Sequence, residues 1–319
     1  MIRAIPTCAA ALLAGACFTL PAFAQSAGWT PPGPITLMIG FAAGGGADTQ
    51  ARLVAQGIED ATGWTVLPQQ VTGNSGLTLA QQLRDAPADG SVIGMIVSET
   101  LAYNAVRVGN PDLQASNFTP LATTAAFQLG LVAMANGDFA SWEAVEAAHE
   151  AGRPIRLGTA TERQADMAYH LGLGSGIEFN IVQVQGGSEI MNGLRAGDLD
   201  LGWVAGAQAS AVAGGEMVNV ASGIPTPLAE SPDAPTIREL GSNFYLDGYF
   251  MFVAPAGIPD EAREALSGAI ASVVQNPQTE AGALIARNFG GASVLTGEAL
   301  DAYLQAAVED SVRLIDTVR

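Results

Sequence analysis

Three consecutive glycines, Gly44-Gly45-Gly46, followed directly by Ala47, Asp48 and Thr49, carry the residue types and spacing in this chain most suggestive of chemistry. Glycine lets a backbone turn sharply and lets a ligand approach without side-chain clash. Asp48 and Thr49 supply N-cap chemistry for a helix, and a helix start presents unpaired N–H groups with about half a positive charge. Together they describe a seat for an anion held by main-chain donors. The same residues also fit a tight strand-to-helix turn, and both readings stay open. A P-loop lysine and the G-x-G-x-x-G spacing are missing, which argues against a nucleotide. Beside a bound carboxylate the charge of Asp48 would repel, so Asp48 is expected to cap the helix or organise the loop's amides.

Other candidate constellations are weaker. His149 and His170 fall on separate predicted helices without a partner at ligand spacing, so neither a metal nor a cofactor is expected. Asp198 and Asp200 share one face of a strand, as a catalytic carboxylate pair or as a solvated edge. A hydrolase would draw on them or on His170, but Gly73-Asn74-Ser75-Gly76 lacks the spacing of a nucleophile elbow.

The elements that must position these residues alternate along the chain. Apolar strand-like runs are expected at 35–41, 65–68, 92–97, 118–123, 129–134, 155–158, 178–183, 199–204, 218–221 and 249–253. Helices are expected at 49–62, 77–85, 141–151, 164–175, 189–196, 207–214, 260–276, 278–288 and 297–319. That alternation is the signature of an α/β protein with mainly parallel sheets. With no flexible linker or repeat, it suggests lobes between which the chain crosses more than once.

Composition sets the surroundings. Residues 1–24 read as an export signal, with Arg3 its only charge and Ala22-Phe23-Ala24 in the small-x-small form of a cleavage site. A lipoprotein signal ending at Cys17 is the alternative, but Leu13 stands one position too far away. Both cysteines, Cys8 and Cys17, lie inside this signal, so neither disulfides nor thiol chemistry is expected of the mature chain. The chain has 13 basic residues, all arginine, against 31 acidic ones, for a net charge of −18. Such a field repels nucleic acid and anionic membranes, and any anion site within it must work through local dipoles. No second stretch reads as membrane-spanning.

An ordered set of motifs resembles the solute receptors of tripartite tricarboxylate transporters, also called Bug proteins. It comprises Pro34-Ile-Thr-Leu37, Phe41 through Asp48, Pro87-Ala-Asp-Gly90, Gly187 through Asp200, Pro232-Asp-Ala-Pro-Thr236, Val253-Ala-Pro-Ala-Gly-Ile-Pro259 and Asn276-Pro277. The resemblance spans nearly all of the mature chain. It implies a type II-like, two-lobed periplasmic binding protein, a Venus flytrap with its ligand cleft between the lobes. One lobe would hold residues 30–128 and 250–319, the other residues 129–249.

It also implies a monomeric, non-catalytic receptor that captures a small organic carboxylate, a di- or tricarboxylate or an aromatic acid, for a transporter's membrane subunits. Carried over by position, the site would comprise Phe41, Ala42, Ala43, Gly44, Gly45, Gly46, Ala47, Asp48 and Thr49 from one lobe. The other lobe would give Thr159, Ala160, Thr161, Arg163, Gln185, Trp203 and Gln208. The second-lobe loop departs from the family's small residues at Thr161, Glu162 and Arg163, so ligand identity is the weaker part of the inference. Arg163 could clamp a carboxylate with two hydrogen bonds, or pair at the surface with Glu162 or Asp166. Trp203 and the neutral glutamines equally suit an uncharged amide or an aromatic ligand.

Overall fold

The computed structural model describes residues 28–318, so the export signal and both cysteines lie outside the described residues. Ten strands form two sheets. The strands are β1 (Ile35–Ile39), β2 (Val66–Gln70), β3 (Val92–Val97), β4 (Phe118–Ala126), β5 (Leu129–Met134), β6 (Ile155–Thr159), β7 (Phe179–Gln183), β8 (Leu201–Ala205), β9 (Met217–Ser222) and β10 (Tyr249–Pro255). The helices are α1 (Gly46–Thr62), α2 (Leu77–Arg84), α3 (Ala105–Val108), α4 (Trp142–Glu150), α5 (Glu162–Ser175), α6 (Gly187–Ala196), α7 (Ala209–Ala213), α8 (Asp260–Gln275), α9 (Glu280–Asn288) and α10 (Gly297–Val318). Every expected strand and helix is present, with ends shifted by a few residues.

The first sheet runs β2-β1-β3-β10-β4 and the second β7-β6-β8-β5-β9. Each sheet is mixed. The expected parallel pairing holds on one side of each, β2-β1-β3 and β7-β6-β8. On the other side the pairings of β10 and of β5 are antiparallel. The reason is the crossing of the chain: β5 and β10 each enter their sheet straight from the other lobe rather than through a helix, so neither is forced into a parallel βαβ unit. The two crossings run side by side, and the Phe127 amide donates to the Gly248 carbonyl at 2.8 Å. Phe127, Phe250 and Phe289 stack edge-on there, with centroids 5.2 Å apart in both pairs.

β1 buries Ile35, Leu37 and Ile39 on one face, and α1 lays Ala51, Val54 and Ile58 against it. Alternation along the strand and i, i+3, i+4 spacing along the helix meet in one core. Helix α1 begins at Gly46, earlier than expected, because the extended Gly45 serves as N-cap in place of Asp48. One element is legible only in the structure. After β3 the chain makes a π-helical turn, Thr100–Asn104, that continues into α3, and all five of its residues are buried.

Candidate functional site

Both lobes place a helix start at the C-terminal end of a parallel strand, β1 into α1 and β6 into α5, where α/β sheets bind ligands. The two starts face each other across a cavity of about 50 Å³. From the first-sheet side it is lined by Phe41, Gly45, Gly46, Ala47, Val97, Glu99 and Phe250, and from the second-sheet side by Ala160, Thr161, Gln164, Gly187, Trp203, Val204, Ala205 and Ala207, with Phe127 at the crossing.

Around the glycine loop the backbone donors divide into two groups. The Ala42 amide donates across the cleft to the Gln185 carbonyl at 3.1 Å, and the Gly45 amide turns back to the Ala42 carbonyl. The Gly44 amide, held at φ +78, donates to Asp48 Oδ2 at 2.8 Å. Asp48 is itself fixed by Arg52 Nε at 2.8 Å. Asp48 therefore organises the loop and does not cap the helix by its side chain. The donors left facing outward are those of the first helical turn, Gly46, Ala47 and Asp48, which helix geometry deprives of intrahelical acceptors. A Cβ at Gly46 would sit 3.3 Å from both the Ala205 carbonyl oxygen and the Phe289 ring, so this backbone approaches the opposite lobe closely.

The second helix start is built differently. Thr161 is the N-cap, its hydroxyl accepting from the Gln164 amide at 3.2 Å. Gln164 reaches back with Oε1 to the Ala160 amide at 2.7 Å. The same Thr161 hydroxyl donates to Glu99 Oε2 at 3.0 Å. Glu99, at the end of β3, is 1% exposed, and its Oε1 has no hydrogen-bond partner. The nearest cation is Arg163, with Nη1 at 3.6 Å from Oε1. Burial pushes the Glu99 carboxyl above the usual carboxylate range, against the opposing pull of Arg163 and of the Thr161 hydrogen bond.

Further polar bridges tie α5 to the segment after β3. The Tyr103 hydroxyl, on the π-helical turn, donates to Asp166 Oδ2 at 2.6 Å, and Arg107 Nη1 lies 2.9 Å from the same oxygen. Burial, and then Asp166 as hydrogen-bond partner, push the Tyr103 hydroxyl well above its ordinary range.

Of the residues expected at the site, Phe41, Gly45, Gly46, Ala47, Ala160, Thr161 and Trp203 meet around the cavity. The Trp203 indole N–H is buried without an acceptor, and so is the hydroxyl of Thr159, just behind the cavity at the end of β6. Ala43 and Gly44 are exposed on the loop's outer side, and Ala42 and Thr49 lie outside the lining. The Gln185 side chain is exposed, and that residue acts through its backbone carbonyl. Gln208 is buried and donates to the Gln128 carbonyl at 3.0 Å. Arg163 pairs with neither Glu162 nor Asp166. It bonds the carbonyls of Asp247 and Tyr245 and the Asp247 carboxylate, so most of its donors are spent within the chain.

Glu99 and Gln164 are the polar lining residues that sequence reasoning missed. The position of Glu99 just past a parallel strand was the available signal.

The residues a hydrolase would use are scattered. Asp198 is exposed, and Asp200 makes a two-pronged bond to Arg156 at 2.9 and 2.8 Å. Burial would raise the Asp200 carboxyl, but Arg156 leaves it below the usual range. His170 packs on the Phe244 ring at 4.9 Å. Among the described residues there is no cluster of three or more metal-ligating side chains, and no helix is long and apolar enough to cross a membrane.

Comparison with known proteins follows this geometry. The description "Tripartite tricarboxylate transporter family receptor" matches residues 50–316. A relative from Cupriavidus necator, "UPF0065 protein in gbd 5'region", is 25% identical over 276 residues, covering 84% of this chain and 83% of its own. Among solved structures, the periplasmic binding protein BugD superposes with a TM-score of 0.79 at 21% identity, covering 91% of this chain and 98% of its own. MatC from Rhodopseudomonas palustris with bound malate gives 0.77 at 19% identity, covering 91% and 100%. These likenesses extend the two-lobed binding-protein fold to this chain.

Proposed function

Because this chain belongs to the tripartite tricarboxylate transporter receptor family, we propose that it is a periplasmic, non-catalytic solute-binding protein. It captures a small organic carboxylate between its lobes and passes it to the membrane subunits of such a transporter. The observation that carries this reading is the pair of helix starts converging on one interlobe cavity, with Gly46 and Ala47, the first residues of α1, in its lining. A carboxylate there gains charge-assisted hydrogen bonds and the helix dipole inside a strongly acidic molecule. A solute touching both lobes stabilises their closed arrangement.

The test is a thermal-shift screen of the mature protein against di- and tricarboxylates, aromatic acids and amino acids. A bound solute at a hundred times its dissociation constant adds about 2.7 kcal/mol of apparent stability. Silence across the whole panel, or turnover of any member into product, would overturn the reading.

A further inference from the structure

The second helix start already holds a carboxylate of the chain's own. Glu99, from the first-sheet side, reaches across the cleft so that its Oε2 takes the Thr161 hydroxyl at the N-terminus of α5. That is the pole to which the far end of a bound dicarboxylate would otherwise be drawn. Arg163, the nearby cation, is held by the Tyr245 and Asp247 carbonyls and by the Asp247 carboxylate, and it already lies against Glu99. A solute therefore meets anion-seeking amides at the α1 end of the cavity. At the other end it meets Glu99 in the lining, whose Oε1 is buried without a hydrogen-bond donor.

We propose that Glu99 is a specificity-determining residue. It selects a monocarboxylate whose far end offers an N–H donor, an ammonium or amide group, over the chain-matched dicarboxylate. This rests on the receptor reading above. The physical terms point the same way. A donor satisfies Oε1, which lies near Arg163 but has no hydrogen bond, whereas a second carboxylate would bring a like charge against Glu99 in a low-dielectric site. A positive or neutral far end also leaves the Glu99–Arg163 pair intact. The unpaired indole N–H of Trp203 in the same lining serves an acceptor on the solute, a carbonyl or the first carboxylate, so the cavity asks for both polarities.

The experiment is calorimetric titration of the mature wild-type chain with succinamate and 4-aminobutyrate against succinate and glutarate, repeated on Glu99→Gln. Expected is a preference of about tenfold or more for the N–H-bearing member of each pair in the wild type, a difference that a lost buried hydrogen bond can supply. In Glu99→Gln that preference shrinks to within about threefold or reverses. Succinate or glutarate binding the wild type as tightly as its partner would overturn the assignment while leaving the receptor reading in place. So would an unchanged ratio in a variant that melts like the wild type. If Glu99→Gln does not fold, the wild-type ratio alone decides. If no member of either pair binds, and the wider carboxylate panel is silent too, the receptor reading fails and this inference fails with it.

Discussion

The starts of α1 and α5 occupy equivalent places in their sheets, and in each the third helical residue reaches back to the amide before the cap, yet the caps themselves differ. At α1, glycines and an extended N-cap leave the first-turn amides without side-chain acceptors, and the buried Asp48 braces the loop through Gly44 and Arg52. At α5, Thr161 caps the Gln164 amide, Gln164 back-bonds to the Ala160 amide, and the Glu99 carboxyl takes the Thr161 hydroxyl. The same strand-to-helix architecture thus yields one start capped by glycine and one capped by a threonine whose hydroxyl holds a buried carboxyl. Fold likeness alone is a poor guide to ligand here, because the difference lies in a few side chains on a shared frame.

The strongest way to break this contrast is Gly46→Val. The Cβ position is already at 3.3 Å from the opposing Ala205 carbonyl and Phe289 ring. Overpacking costs about 1–3 kcal/mol, and here it falls on the closed arrangement of the lobes. Solute affinity in calorimetry should drop about 10- to 100-fold, with far-ultraviolet circular dichroism unchanged. Undiminished affinity would remove the α1 pole from the site.

Thr161→Val attacks the other pole, deleting the cap and the donor to Glu99 together. A loss of about 2–3 kcal/mol in denaturant unfolding is expected. A loss below about 0.5 kcal/mol would mean that this pole is not organised as described.

Tyr103→Phe removes the hydroxyl bonded to Asp166 while Arg107 stays to hold that carboxylate. The expected cost is about 1–2 kcal/mol by the same unfolding measurement. Small-angle scattering should show the lobes further apart on average, and an unchanged profile would argue against a bridging role.

The smallest effect is a slope with pH. In the folded protein burial raises the Glu99 carboxyl above its unfolded value, so the folded chain binds that proton more readily than the unfolded one. Its contribution is complete below the ordinary glutamate value of about 4.3 and is lost as pH rises through the raised value. Glu99→Gln should therefore gain melting temperature relative to the parent as pH increases from 4 toward 8. A difference between the two that stays flat over that interval would count against a raised carboxyl at this position.

Much of the frame was legible in the residues. Strand runs such as Val92–Val97 and Leu129–Met134 keep the bounds that their apolar content implied. The glycine loop stood out because Gly44-Gly45-Gly46 follows a strand and precedes a helix, a wholly local signal. Arg163 could not be placed, since its partners Tyr245 and Asp247 lie in the long connection before β10. Glu99 was invisible for the same physical reason. Ser98-Glu99-Thr100 reads as an ordinary polar break after a strand, and only the return of the chain 62 residues later brings Thr161 against it. The antiparallel half of each sheet was hidden because alternation of strands and helices says nothing about which strands cross between lobes.

The bridges from Tyr103 and Arg107 to Asp166 have a kinetic corollary. They join the lobes through bonds that ask nothing of a solute, and a lobe separation wide enough to break them must part both. Capture should then follow a gate with its own tempo, and observed association rates should level off with rising solute concentration instead of climbing in proportion to it.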